Sequence, residues 1–310
     1  MVTTARLYRN AAGLAEIVEV LQPGDAILAG EVPMAALTEA DRLRLLAYPA
    51  SLARRARSRT EPDGLRIVYV VPDWATDEAL AAAGRPYNLT PAGRTYRAQP
   101  DPESCDDSRA HHWEALFEAH VQELKDAAGN ADIEVARASE FIGDEGFQAV
   151  LRCALRFPRQ IAEAIQEAVP GVEIDDEPLV FAGAECRACA SVRGTTAYDP
   201  DWDRAQFECD ECGSRQEADI REQNYWVQED VLRAAVVAAL KPSVSMRRPG
   251  PYWDAREALT DSLLLLALGD APQLPARLAP PILDSERGGV PLMDLVGMAD
   301  EWEEDHAELP

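Results

Sequence analysis

Leu65-Arg-Ile-Val-Tyr-Val-Val71 is an apolar run of β-branched and aromatic residues interrupted only by Arg66. A strand that is apolar on both sides offers water no face, so the run reads as a central strand of a parallel sheet. Working outward, Asp25 to Gly30 (Asp-Ala-Ile-Leu-Ala-Gly) is a second buried-strand candidate. Between the two, Thr38 with Asp41 three residues on marks a helix start. The helix from about 39 to 58 carries Leu43, Leu45, Leu46 and Leu52, and Pro49 is placed to kink or split it. Strand, helix and strand in this order make a βαβ unit and point to a Rossmann-like α/β layer.

Toward the N-terminus, Leu14, Ile17, Val18 and Leu21 predict a short amphipathic helix ending at Pro23-Gly24. Toward the C-terminus, residues 82–107 are turn-rich, and Asp107 or Ser108 then caps a helix whose apolar face is Trp113, Leu116, Phe117, Val121 and Leu124. Ile133-Glu-Val reads as a short strand, and helices follow from Phe147, with a break at Pro158, then near 228–240 and 254–268. The remainder, with Pro272, Pro275, Pro280 and Pro281, reads as irregular, and an acidic tail holding Trp302 follows Asp300.

Cys186-Arg-Ala-Cys189 and Cys209-Asp-Glu-Cys212 are two matched Cys-x-x-Cys knuckles. Such pairs bring four thiolates to one tetrahedral centre, so the segment reads as a zinc ribbon with structural Zn²⁺ on Cys186, Cys189, Cys209 and Cys212. A redox dithiol and a pair of disulfides are the competing readings. Four sulfurs leave no open position, which argues against a catalytic metal. With no secretory signal visible, six cysteines fit a reducing cytoplasm, with Cys105 and Cys153 as free thiols.

At 310 residues and 47% hydrophobic, the chain can bury a sizeable core, and no apolar run is long enough for a membrane span. A formal charge of −25 repels phosphate backbones, so nucleic acid is not the default partner. Arg54, Arg55, Arg57, Arg59 and Arg66 are the one local basic cluster.

Pro100-Asp101-Pro102-Glu-Ser-Cys105-Asp-Asp-Ser108-Arg-Ala-His-His112-Trp113 resembles a stretch of the class I lysyl-tRNA synthetases, found mainly in archaea and some bacteria. That family carries a Pro-Asp-Pro segment followed by Cys, Ser and a His-aromatic pair. The order of features also agrees: a strand ending in acidic residues (Pro72-Asp73-Trp-Ala-Thr-Asp77), this loop, helices after Ser139-Glu140, then the knuckles. The resemblance covers roughly residues 25 to 255. It implies a class I aminoacyl-tRNA synthetase core of Rossmann type with an inserted zinc-ribbon segment. We divide the chain into a core with a Pro-rich and helical insertion (1–177), the ribbon (178–225), a helical continuation of the core (226–298) and the acidic tail (299–310).

The departures from that family bear on function. Its HIGH motif places imidazoles at the first helix to stabilise phosphate charge. Here Gly30-Glu-Val-Pro-Met-Ala-Ala-Leu-Thr38 follows the first strand, no histidine precedes His111, and Glu31 brings negative charge instead. Lys241-Pro-Ser-Val-Ser245 matches the family's KMSKS loop only superficially, comes too soon after Cys212 and lacks the second lysine. The resemblance also stops short of the helical anticodon-binding region. ATP and tRNA are therefore not the expected ligands.

Gly30, Asp73, Asp77 and His112 remain as candidate ligand-binding residues; no catalytic residue stands out. Asp73 and Asp77 follow a parallel strand at its carboxyl end, where α/β folds bind ligands, and could hold an ammonium group or cap a helix. His112 and His120 could share a helix face as metal ligands, or simply pack. Three functions follow. The leading one is a truncated, degenerate synthetase paralogue repurposed for binding or chemistry on an amino acid or amino-acid derivative. Its competitor is a non-enzymatic, zinc-stabilised interaction or regulatory subunit with a protein partner, and the third is residual ATP-dependent lysine activation. A pocket opening at Asp73 and Asp77 favours the first; a filled cleft with exposed apolar residues along 259–268 favours the second.

Overall fold

The run that opens the sequence reading forms β2 (Arg66–Val71), flanked by β1 (Ala26–Glu31) and β3 (Asp132–Arg137). The computed structural model describes residues 18, 21–22, 24–57, 65–76, 93–101, 103, 107–129, 131–168, 180–246, 251–269, 276–278, 293–294 and 296–297. Most of the expected helix over 10–22, together with Asp77, Cys105 and the acidic tail, lies outside the described residues. With β9 (Val244–Met246) and β10 (Ala276–Leu278), the strands form a sheet in the order β10-β9-β1-β2-β3. Each neighbouring pair is parallel. This is the doubly wound arrangement, whose strand order reverses between β1 and β9. The expectation of irregular chain around 276–278 is thus corrected: three residues between prolines are enough to extend the sheet at its edge.

Both faces of β2 are covered. Ile67, Tyr69 and Val71 join one apolar cluster with Leu45, Tyr48, Phe117 and Leu124. Val68 and Val70 join a second with Trp74, Phe147, Phe181 and Val231. The first cluster is supplied by a π-helical turn (Leu43–Ala47), which continues α1 (Glu39–Arg42), together with α2 (Tyr48–Arg57) and α3 (Arg109–Ala128). Thr38 and Asp41 close a reciprocal cap at the start of α1, each side chain accepting the other's backbone N–H at 3.2 and 3.1 Å. Pro49 has no N–H for the Leu45 carbonyl one turn back, and the Tyr69 hydroxyl donates to that carbonyl instead. The disturbance expected at Pro49 thus takes the form of a wider π turn just ahead of it, closed by the Tyr48 N–H on the Leu43 carbonyl.

The opposite face is covered by α4 (Glu145–Arg156), α5 (Pro158–Ala168), α6 (Glu229–Leu240) and α7 (Pro251–Leu268). Between α5 and α6 lie β4 (Ala182–Ala184) and β8 (Tyr225–Val227), paired antiparallel, and the meander β5 (Gly194–Asp199), β6 (Arg204–Cys209) and β7 (Arg215–Asp219). Helices α4 and α6 meet closely, and a Cβ at Gly146 would stand 2.4 Å from the Ala238 carbonyl oxygen. Gly146→Ala is therefore expected to destabilise the chain by about 1–3 kcal/mol, because the helices must part to admit one methyl group. Gly143→Ala, where a Cβ meets nothing within 4 Å, should change stability little; thermal unfolding of the two variants checks the contrast.

Candidate functional site

The two knuckles share one local plan. In the first, the Cys186 N–H donates to the Ser191 carbonyl and the Ala190 N–H to the Cys186 carbonyl, both at 2.8 Å. In the second, the Cys209 N–H donates to the Ser214 carbonyl at 2.9 Å and the Gly213 N–H to the Cys209 carbonyl at 3.0 Å. The residue after each second cysteine is left-handed, Ala190 at φ 57° and Gly213 at φ 68°. Cys-x-x-Cys-Ala-Ser and Cys-x-x-Cys-Gly-Ser therefore fold into equivalent tight turns, and the turns face each other.

Their sulfurs all lie within 4.8 Å of one another, with Cys186 to Cys212 and Cys189 to Cys209 each at 3.6 Å. A tetrahedron with metal–sulfur bonds of ~2.3 Å has edges of about 3.8 Å, so the donor set fits one tetrahedral ion. Burial opposes ionisation of Cys186, but the N–H groups of Cys189 and Ala188, with the neighbouring thiols, hold it down at about 7. The Ser191 N–H favours a thiolate on Cys189, yet burial and three adjacent sulfurs push that thiol up to about 12. A thiolate on Cys186 is easy to form and one on Cys189 is not, a charge imbalance that a bound cation would relieve. Among the described residues these four cysteines form the group of ligand-type side chains close enough to hold a metal ion.

The ribbon is stitched to the carboxyl end of β2. The Val227 N–H donates to the Trp74 carbonyl and the Val192 N–H to the Gly93 carbonyl, each at 3.0 Å. The Thr95 hydroxyl donates to the buried Glu185 carboxylate at 2.6 Å, and Gln216 and Gln223 both donate to the Glu185 carbonyl. Cys186 and Cys209 belong to the same apolar cluster as Trp74, Phe147 and Phe207.

Among the described residues, the remaining candidates Gly30, Asp73 and His112 each have a structural partner of their own. Gly30 has φ 137° and sits at a register shift in β1, where a Cβ would press on Leu45 at 3.1 Å. Its glycine serves a β-bulge. Asp73 is 2% exposed and accepts the Ser139 N–H at 3.0 Å, so it caps the 3-10 turn (Ala138–Gly143) that follows β3. Burial pushes its carboxyl above the usual range, against the lowering effect of Ser139, Arg97 and Arg137. Asp77 lies outside the described residues. His112 places Nδ1 3.0 Å from the buried Asp101 carboxylate and packs edge-on against Trp113. His120 pairs with Glu123 instead of joining it.

Sequence reasoning missed the ion pair at the strand-order reversal. Arg233 of α6 donates to both Glu31 oxygens, at 2.8 and 3.1 Å, at the carboxyl end of β1. It also donates to the Ser245 hydroxyl at 3.1 Å and the Met246 carbonyl at 2.8 Å on β9. The cavity beside it, lined by Leu28, Glu31, Val70, Pro72 and Arg233, holds about 10 Å³, room for no more than one water. Only the charge of Glu31 was legible beforehand, since its partner lies 202 residues away.

If Asp73 is a cap, Asp73→Asn keeps an acceptor for Ser139 and removes a buried charge, while Asp73→Ala orphans the N–H at a cost of about 1–3 kcal/mol. A raised carboxyl pKa means the native chain loses stability as pH climbs from the ordinary carboxylate range through the raised value. Asp73→Asn should therefore gain on the native chain across that window, as melting curves at pH 4 to 8 would record.

A family described as tRNA synthetases class I (K) matches residues 90–228. Over 120 residues, 38% of the chain, the sequence is 27% identical to a lysine–tRNA ligase of Haloarcula marismortui. The match spans only 21% of that ligase's length. Among the described residues no helix is long and apolar enough to cross a membrane. The mixed α/β layer, its parallel sheet and these matches make the chain similar to class I lysyl-tRNA synthetases in its synthetase-like domain.

Proposed function

We propose that this chain is a synthetase-like protein that no longer activates an amino acid with ATP, and that it serves as a zinc-stabilised interaction or regulatory protein. The observation that carries this reading is the Glu31–Arg233 bridge. In open α/β sheets ligands enter the crevice outside the carboxyl ends of the strands where the strand order reverses. Here that place, between β1 and β9, is occupied by the chain's own carboxylate and guanidinium. A triphosphate brought there would have to displace the Glu31 carboxylate before the Arg233 guanidinium could serve a phosphate oxygen. Chemistry on a free amino acid would call for an accessible carboxylate, whereas Asp73 is inward and engaged. Leu266 and Leu268, 44% and 39% exposed near the end of α7, supply apolar surface of the kind a partner covers.

For the metal, four sulfurs in a tetrahedral set suit zinc, and a closed set assigns it to bracing the fold. Two measurements test the proposal. Pyrophosphate exchange with ATP and each amino acid should stay at background; robust lysine-dependent exchange overturns the reading. Metal analysis should find about one zinc per chain, and Cys209→Ser should unfold or aggregate the protein. A metal-free chain of undiminished stability refutes the site.

A further inference from the structure

The hairpin joining β5 to β6 carries Trp202, which at 74% has the greatest exposure of the large apolar side chains described. Its turn is held from three sides. The Asp201 N–H donates to the Asp199 carboxylate at 2.9 Å, and Asp203, just after the tryptophan, adopts φ 52°. The Asp203 carboxylate takes two bonds from Arg152 of α4, at 2.8 and 2.6 Å, and one from the Tyr198 hydroxyl at 2.7 Å. Arg152 is in turn fixed by Gln148 at 2.8 Å. The indole therefore projects from a turn bolted to the helical layer, so docking onto it orders few additional groups.

The chemistry around the indole selects among partners. Half-buried Asp199 and exposed Asp201 precede it in the turn, and nearby Arg204 has its charge matched by Glu217 at 3.0 Å. An aromatic anchor within an acidic turn, on a chain of charge −25, repels phosphate and attracts cationic side chains. Resting on the interaction reading above, we propose that Trp202, with Asp199 and Asp201, is the anchor of a docking surface for a protein whose apolar pocket is rimmed by lysine or arginine. Burial of a rigid tryptophan at the centre of such a contact is the usual source of most of its affinity.

The test places the photo-crosslinker p-benzoylphenylalanine at position 202 of the full chain in its own cells, with position 159, an arginine 90% exposed, as control. The expected result is a protein crosslinked from 202 and not from 159, through a peptide of net positive charge. Asp201→Lys should cut that yield about tenfold, and Trp202→Ala should weaken binding of the identified protein about 30-fold, with melting temperature unchanged. No crosslink above the control, a crosslink to RNA, or a yield indifferent to Asp201→Lys overturns the assignment. A chain that copurifies with a partner yet fails to crosslink at 202 sinks the anchor and leaves the interaction reading standing. Lysine-dependent pyrophosphate exchange removes that reading and the anchor with it.

Discussion

A strand with no face for water sets the terms for this molecule. Once β2 is apolar on both sides, helices must cover it twice, and its neighbours must pair with it along their length to satisfy backbone N–H and carbonyl groups. The two clusters about Ile67, Tyr69 and Val71 on one side and Val68 and Val70 on the other are that requirement made structural. The same demand is felt at the strand's carboxyl end, where Asp73, Trp74 and Thr95 bind Ser139, Val227 and Glu185. The knuckles are thereby drawn against the sheet and do not hang from it.

At the strand-order reversal the chain uses charge where its fold ordinarily leaves space. Glu31 and Arg233 are largely removed from water, with side chains 19% and 12% exposed. A pair so placed is weak evidence for stability, since desolvation offsets much of the attraction, but removing one partner strands the other. The bridge thus acts as a constraint: α6, β1 and β9 are tied through one guanidinium. That constraint is what supports our proposal that the use of this synthetase-like scaffold lies outside the crevice.

Much of the frame was legible in the sequence, for identifiable reasons. The run at Leu65–Val71 is long, branched and bounded, and the matched knuckles advertise their geometry through spacing alone. The strands β9 and β10 were not legible, because three residues apiece carry no periodicity and both lie close to prolines. Meaning was harder to read than presence. Gly30 reads in sequence as a candidate ligand-binding residue, and in the structure it stands at a β-bulge against Leu45. Asp73 sits at the predicted strand end, yet whether it faces inward depended on Ser139, far along the chain. His112 gained its partner Asp101 from a Pro-rich loop whose path no local pattern fixes.

The sharing of Cys186 and Cys209 with the principal apolar cluster has a thermodynamic consequence. A ribbon hung on a flexible tether could lose its ion and unfold alone. Here Cys186 and Cys209 share one apolar cluster with residues of α4, α6 and α7, so loss of an ion held by the knuckles would loosen the core as well. An ion bound only by the folded chain stabilises it by RT ln(1 + [L]/Kd), an increment that keeps growing with free ion after the site is filled. The free metal level around the protein would then set how long the whole molecule lasts as well as whether the ribbon is filled.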